Sequence, residues 1–156
     1  MTETTPPTDR VSAIMSTKLI TIKATESVSK ALRKMVRHNI GSIIAIEKGE
    51  PIGILTERDI STRLDKAQSL RGLVVRKTMS KPLVTIGSSA GVWEAVEQMV
   101  RKEIRRLPVI ENGKLVGMVT ERDILRWFLE VAYAPRIPAD LKKLLETRAE
   151  AHSLVH

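Results

Sequence analysis

The chain has 156 residues, 42% apolar and 28% charged, which fits one compact unit or two small halves sharing a core. Basic side chains outnumber acidic ones by 26 to 18, and the net charge of +8 favours anionic partners such as nucleotides, nucleic acid, acidic protein or membrane surface. There is no cysteine, and His38, His152 and His156 lack metal-ligand spacing, which argues against disulfides, thiolate chemistry and a structural zinc site. No apolar run approaches the roughly 20 residues needed to cross a bilayer, and the first residues lack the basic start and apolar stretch of a signal peptide. A cytoplasmic protein without a membrane partner is expected. No Gly-x-Ser-x-Gly elbow, phosphate loop ending in Lys-Ser/Thr, or His-Glu-x-x-His motif is present, so no enzyme is expected either.

Residues 1–10 are rich in Thr and Pro and read as a disordered tail. From Val11 a pattern begins that returns at Val75 with a constant offset of 64 residues, giving roughly 20 identities over about 54 aligned positions. The chain is a tandem duplication, with repeats over residues 11–64 and 75–128. Each repeat carries about four of the excess positive charges, so there is no isolated basic tail.

Each repeat opens on a short extended segment, Leu19-Ile20-Thr21-Ile22 or Leu83-Val84-Thr85-Ile86. A helix comes next, with Val28, Ala31, Leu32 and Met35, or Val92, Ala95, Val96 and Met99, spaced as a buried stripe. The two methionines are expected in the core. An apolar strand succeeds it, Ser42-Ile43-Ile44-Ala45-Ile46 or Leu107-Pro108-Val109-Ile110. Lys48-Gly49 and Asn112-Gly113 then suit tight hairpin turns into a second strand broken by Gly53 or Gly117. The last helix opens on Thr56-Glu57-Arg58-Asp59-Ile60 or Thr120-Glu121-Arg122-Asp123-Ile124, and its apolar stripe runs through Ile60 and Leu64, or through Leu125 and Phe128. Residues 65–74, with Gly72, read as a polar linker. Residues 129–156 read as a helical extension interrupted by Pro135 and Pro138, with Leu141, Leu144 and Leu145 on one face of a final helix. That stripe needs a surface, either on this chain or on a second subunit.

The predicted fold class is α+β: two β-α-β-β-α repeats packed sheet to sheet, since a half of about 55 residues would bury little core alone. Thr paired with Asp three residues later at a helix start is a capping box, which stabilises many helices and need mean nothing more. Its recurrence in matching surroundings raises the weight of a ligand site.

With the repeat, the strand order and Gly-x-x-Thr-x-x-Asp in hand, the chain resembles a tandem pair of CBS domains, the module named after cystathionine β-synthase. The resemblance covers residues 11–128 and rests on Met15-Ser16 and Met79-Ser80, on Arg106-Leu107-Pro108-Val109, and on both Thr-x-x-Asp copies. The first copy departs by having Ile43-Ile44-Ala45 in place of Leu-Pro-Val. The resemblance implies a regulatory module that binds AMP, ADP or ATP, with S-adenosylmethionine ranked behind them. It implies Asp on the ribose hydroxyls and Thr near phosphate, chemistry that suits a carboxylate able to take two donors beside a helix start. By family position one site joins Thr120 and Asp123 to Ser16, Lys18, Ile20, Ser42 and Ile44. The other joins Thr56 and Asp59 to Ser80, Val84, Arg106 and Pro108. Arg58 and Arg122 could reach phosphates or could be ordinary surface ion pairs.

The resemblance further implies a homodimer formed through helices and an effector protein that receives the signal. Nucleic-acid binding through the basic surface is the alternative, to be seen by its steep salt dependence. Against it, Trp93, Trp127, Phe128 and Tyr133 do not fall in the alternating strand pattern of a stacking platform.

Arg105-Arg106 replaces Gly41-Ser42 of the first repeat, which puts more positive charge in one site. AMP and ATP should therefore bind the two sites with different relative affinities, the Arg106 site preferring more phosphates. Calorimetric titration with both nucleotides checks this, and one shared preference would refute it.

Overall fold

The computed structural model describes residues 9–67 and 69–132, together with Lys143 and Thr147. In chain order the elements are α1 (Val11–Ile14), β1 (Thr21–Lys23), α2 (Val28–Arg37), β2 (Ser42–Glu47), β3 (Glu50–Thr56) and α3 (Glu57–Ala67). They recur as α4 (Val75–Thr78), β4 (Ile86–Gly87), α5 (Val92–Lys102), β5 (Arg106–Glu111), β6 (Lys114–Thr120) and α6 (Glu121–Trp127). A π-helical turn, Phe128–Ala132, continues from α6. Of the N-terminal tail and C-terminal helix read from the sequence, residues 1–8 and most of 133–156 lie outside the described residues.

The α+β class holds, with one addition. Each repeat is preceded by a single helical turn, α1 or α4, too short to leave a periodic signal in the sequence. Each sheet has three strands with the second in the centre, parallel to the first and antiparallel to the third. The first strands are shorter and later than the sequence suggests, beginning at Thr21 and Ile86. Leu19 and Ile20 stay out of the ladder, and the chain passes from one compact unit to the other between them.

Local chemistry explains most of the elements. On α2, Val28, Ala31 and Met35 are buried, and on α5 Val92, Ala95 and Met99 are, at the spacing of one helical face. Ser27 caps α2, its side chain accepting from Lys30 N at 3.1 Å. The hairpin turns place Lys48 and Gly49 at φ 51° and 78°, and Asn112 and Gly113 at 51° and 76°. Two successive positive φ values are what a type I′ turn requires. Each hairpin also carries an irregularity at the same place, between Ala45 and Ile46 and between Val109 and Ile110. The stripe expected on the last helices is only partly buried. Ile60 is inside and Phe128 half-buried, whereas Leu64 and Leu125 are exposed; Trp127, outside the expected stripe, is buried in its place.

The two compact units do not match the sequence repeats. One is Ile20–Val84 and the other joins Met1–Leu19 to Thr85–His156. In the first unit, α4 and the adjoining Met79-Ser80 lie against β3. Val75 and Met79 belong to the same core as Ile22, Val28, Ala31, Met35, Ile43 and Leu55. Backbone bonds fix this strap: Val28 N donates to Leu73 O, Val75 N to Glu26 O and Arg76 N to Ala24 O, all within 2.9 Å. Arg76 also pairs with Glu47 at the end of β2. In the second unit α1 does the same, Val11 N donating to Ala90 O and Ser12 N to Ser88 O.

The straps reach their strands because glycine is there. A Cβ on Gly53 would lie 2.6 Å from Met79 Sδ and 2.9 Å from Ser80 O; one on Gly117 would lie 2.5 Å from Met15 Sδ and 3.0 Å from Ser16 O. The methionine end could swing away, but the backbone oxygen could not without moving the strap. Gly53→Ala should therefore cost about 1–3 kcal/mol, as overpacking does. Gly87→Ala, with nothing within 4 Å of the new methyl, is the control. Urea denaturation of both variants checks the difference.

Candidate functional site

Both Thr-x-x-Asp copies sit where the last strand of a sheet turns into a helix. Thr120 caps α6 with extended backbone, φ −117° and ψ 163°. Its N–H donates to Asp123 Oδ2 at 2.8 Å and its hydroxyl donates to the same oxygen at 3.0 Å. Asp123 N returns a bond to Thr120 Oγ1 at 3.3 Å. Thr56 and Asp59 repeat these contacts at 2.9, 3.0 and 3.2 Å. The capping box is therefore real in both copies. The next residue ties each helix start to the chain just before the central strand, Glu57 N donating to Gly41 O at 3.1 Å and Glu121 N to Arg105 O at 2.9 Å.

Capping uses one oxygen of each carboxylate. In the Ile20–Val84 unit the second oxygen, Asp59 Oδ1, accepts from Ser80 Oγ at 2.8 Å. Ser80 is exposed, yet it is held in place by backbone bonds of 2.8 and 3.1 Å to Ile54, two residues before Thr56. Thr56, Asp59 and Ser80 thus form one cluster, with exposed Arg58 in the first turn of α3. In the other unit Ser16 bridges Met118 through two 2.9 Å backbone bonds, two residues before Thr120. Ser16 Oγ also accepts from Lys18 N at 3.3 Å. Lys18 and Arg122 are exposed there.

The remaining predicted residues lie at the starts of the central strands or on the approach to the first ones. Ile20, Ser42, Ile44 and Val84 belong to the Ile20–Val84 unit; Arg105, Arg106 and Pro108 belong to the other. Ser42 and Ile43 precede the first β1 partner of their strand, since Thr21 pairs with Ile44. Arg106, Leu107 and Pro108 likewise precede the pairing of Ile86 with Val109. These short overhangs leave one flank of each strand start outside the parallel ladder. The side chains of Ile44 and Pro108 are buried, so only backbone is on offer from them. Arg105 approaches Glu121 at 3.8 Å, an exposed contact too loose to hold its charge.

The glycines and methionines that seat the straps were not among the predicted site residues. The signal was available, because a glycine inside an apolar strand marks a close backbone approach. Among the described residues no group of three or more His, Asp or Glu could hold a metal ion, and no helix is long and apolar enough to cross a membrane.

This geometry can be set beside known proteins. The family model for the CBS domain matches twice, over residues 11–66 and 75–130. The chain belongs to the CBS domain family. An uncharacterized protein of Methanopyrus kandleri is 40% identical over 131 residues, which span 82% of this chain and 66% of that relative's length. The solved CBS domain pair of protein MJ0100, in complex with 5′-methylthioadenosine and S-adenosyl-L-methionine, is similar with a TM-score of 0.70 and 26% identity. That match covers 76% of this chain and 94% of the other. A hexameric CBS-CP12 protein from bloom-forming cyanobacteria is similar at TM-score 0.71 and 25% identity, covering 93% and 85% of the two chains.

Whatever it binds, the CBS pair uses Thr120 for stability. Thr120→Val keeps the β-branched shape but removes both hydroxyl bonds of the cap, and should cost about 1 kcal/mol. The expected result is a lower urea midpoint with an unchanged m-value. Thr120→Ser should restore most of the loss.

Proposed function

We propose that this CBS pair is a regulatory module with no catalysis of its own, which binds an adenosine-containing ligand at its Thr-x-x-Asp helix starts. In this reading Asp59 and Asp123 take the ribose hydroxyls. Ser80 and Ser16, carried by the straps, stand beside them. Arg58, Arg122 and Lys18 are placed to meet the phosphates of AMP, ADP or ATP. The adenosine part is the chemistry shared with the ligands of the MJ0100 pair, and S-adenosylmethionine belongs among the candidates for that reason. The output goes to an effector protein or to a change in a homodimer of the cytoplasmic protein. A ligand can move either equilibrium only by its difference in affinity for the two states.

The observation that carries this reading is the division of labour on Asp59. Oδ2 holds the helix cap while Oδ1 accepts from the exposed Ser80 hydroxyl. An alcohol donor thus already lies against the oxygen that a ribose hydroxyl would use. Exchange costs one hydrogen bond, and a diol brings two donors to a carboxylate able to take both. The net charge of +8 supports nucleic acid as a second reading. A phosphate-driven complex of that kind weakens linearly in log K against log salt.

Calorimetric titration with AMP, ADP, ATP, S-adenosylmethionine and methylthioadenosine tests the proposal on the wild type, Asp59→Ala and Asp123→Ala. Binding of at least one ligand is expected at micromolar strength, about −8 kcal/mol, with each substitution abolishing one site. Because both substitutions also remove a cap, Ser80→Ala is the companion. It leaves the cap intact and should change affinity at the Asp59 site alone. Absence of heat with all five ligands would overturn the nucleotide role, and salt-dependent RNA binding in its place would establish the second reading.

A further inference from the structure

The 64-residue repeat divides the excess charge evenly, but the fold does not. The Ile20–Val84 unit carries 13 Lys and Arg against 6 Asp and Glu, a net +7, and the other unit carries 13 against 12. Much of the shift is made by the strap, which brings Arg76, Lys77 and Lys81 from the second sequence repeat into the Ile20–Val84 unit. Like charges gathered on one unit repel each other and add nothing to its fold.

Four exposed cations meet along α4. Arg76 N donates to Ala24 O at 2.8 Å, which sets the helical turn beside Lys23 at the end of β1. From α3, Arg63 Nη2 donates to Lys77 O at 2.5 Å, so a carbonyl holds the guanidinium in place while its charge remains. Arg76 pairs with Glu47. Glu26, whose carbonyl accepts from Val75 N, pairs with Lys30 at 3.0 Å. Among the described residues no carboxylate pairs with Lys23, Arg63 or Lys77.

Duplication supplies an internal control. The positions 64 residues away from Lys23, Arg63, Arg76 and Lys77 hold Gly87, Trp127, Ser12 and Ala13, none of them charged. Glu111, the counterpart of Glu47, accepts from Ser88 Oγ at 2.9 Å instead of meeting a cation. Asp9 and Arg10, leading into α1, cancel. Both straps bridge their strands all the same, so the packing does not need the cations.

We propose that this edge, formed by Lys23, Arg63, Arg76 and Lys77, docks the phosphate backbone of a nucleic-acid duplex. The proposal rests on the nucleic-acid reading above and gives it a place, on residues other than those assigned to the adenosine ligand. The kind of partner follows from what the unit lacks. Residues 20–84 contain no Phe, Tyr or Trp. No base can stack on an aromatic ring there, as in single-strand binding, and a protein partner finds no aromatic anchor. Duplex phosphates need only cations and backbone donors, and they recur along the axis to meet a row of them.

Fluorescence anisotropy of a labelled, mixed-sequence duplex of about 20 base pairs tests this on the full chain. Four phosphate contacts predict a slope of about −3.6 for log K against log salt. Lys23→Gln with Lys77→Gln, both at exposed positions, should flatten that slope by about 2 and weaken binding about tenfold at low salt. Lys102→Gln with Lys114→Gln removes as much charge from the other unit and should leave affinity within about twofold. Equal losses in the two pairs would overturn the placement and leave the nucleic-acid reading standing. No duplex binding by the wild type would overturn both. Tighter binding to one strand of the same duplex, or full competition by polyglutamate of equal charge, would assign the edge to a single strand or an acidic protein and overturn the proposal as well.

Discussion

Gly53 and Gly117 carry no Cβ, and the backbone of a Met-Ser strap runs through the space that a Cβ would crowd, with Ser80 O 2.9 Å and Ser16 O 3.0 Å from it. That approach lets the strap bridge the third strand, Ser80 to Ile54 and Ser16 to Met118. It also seats Met79 in the core. Because each strap precedes one repeat in sequence but packs on the other, the compact units begin and end away from the repeat boundaries. Ser80 reaches Asp59 for the same reason. A side chain larger than hydrogen at either glycine would strain the core and the candidate site together.

The carboxylates hold the helix starts and, in the proposed reading, also meet the ligand. In each copy one Asp oxygen receives both donors of the capping threonine, so the helix start is anchored before any ligand arrives. Such preorganisation lowers the ordering cost of binding. It also means that loss of the Asp weakens the fold, and a binding defect in that variant alone has two causes. Ser80 touches the other oxygen and plays no part in the cap, so it can separate them. The capping reading and the ligand reading of the motif are compatible, because the carboxylate has two oxygens.

Duplication fixed the fold of both repeats while leaving their surfaces free to diverge. The buried triads Val28, Ala31, Met35 and Val92, Ala95, Met99 are identical, since a core position punishes any change of volume. Outward positions carry no such penalty, and there Ser29 stands opposite Trp93 and Ser61 opposite Leu125. The strand starts diverged too, Gly41-Ser42 against Arg105-Arg106, next to the residues that resemble a nucleotide site. The two repeats therefore present unequal chemistry on one scaffold.

The elements and the family are legible in the order of the amino acids alone. Periodicity marks the α2 and α5 stripes, Lys48-Gly49 and Asn112-Gly113 mark the type I′ turns, and the offset of 64 marks the duplication, because each is a local or repeated pattern. The Thr-x-x-Asp caps are legible for the same reason, their partners being three residues apart. Folding decides what depends on residues distant in the chain. Four-residue helices such as α1 and α4 form by packing, not propensity, and have no period to read. Leu64 and Leu125 fit the apolar pattern yet face outward, since pattern ranks faces without showing what covers them. The meeting of Ser80 with Asp59 spans 21 residues and depends on a glycine contact that acts through space. Only the folded chain could show that the second oxygen of the capping carboxylate already holds a hydroxyl.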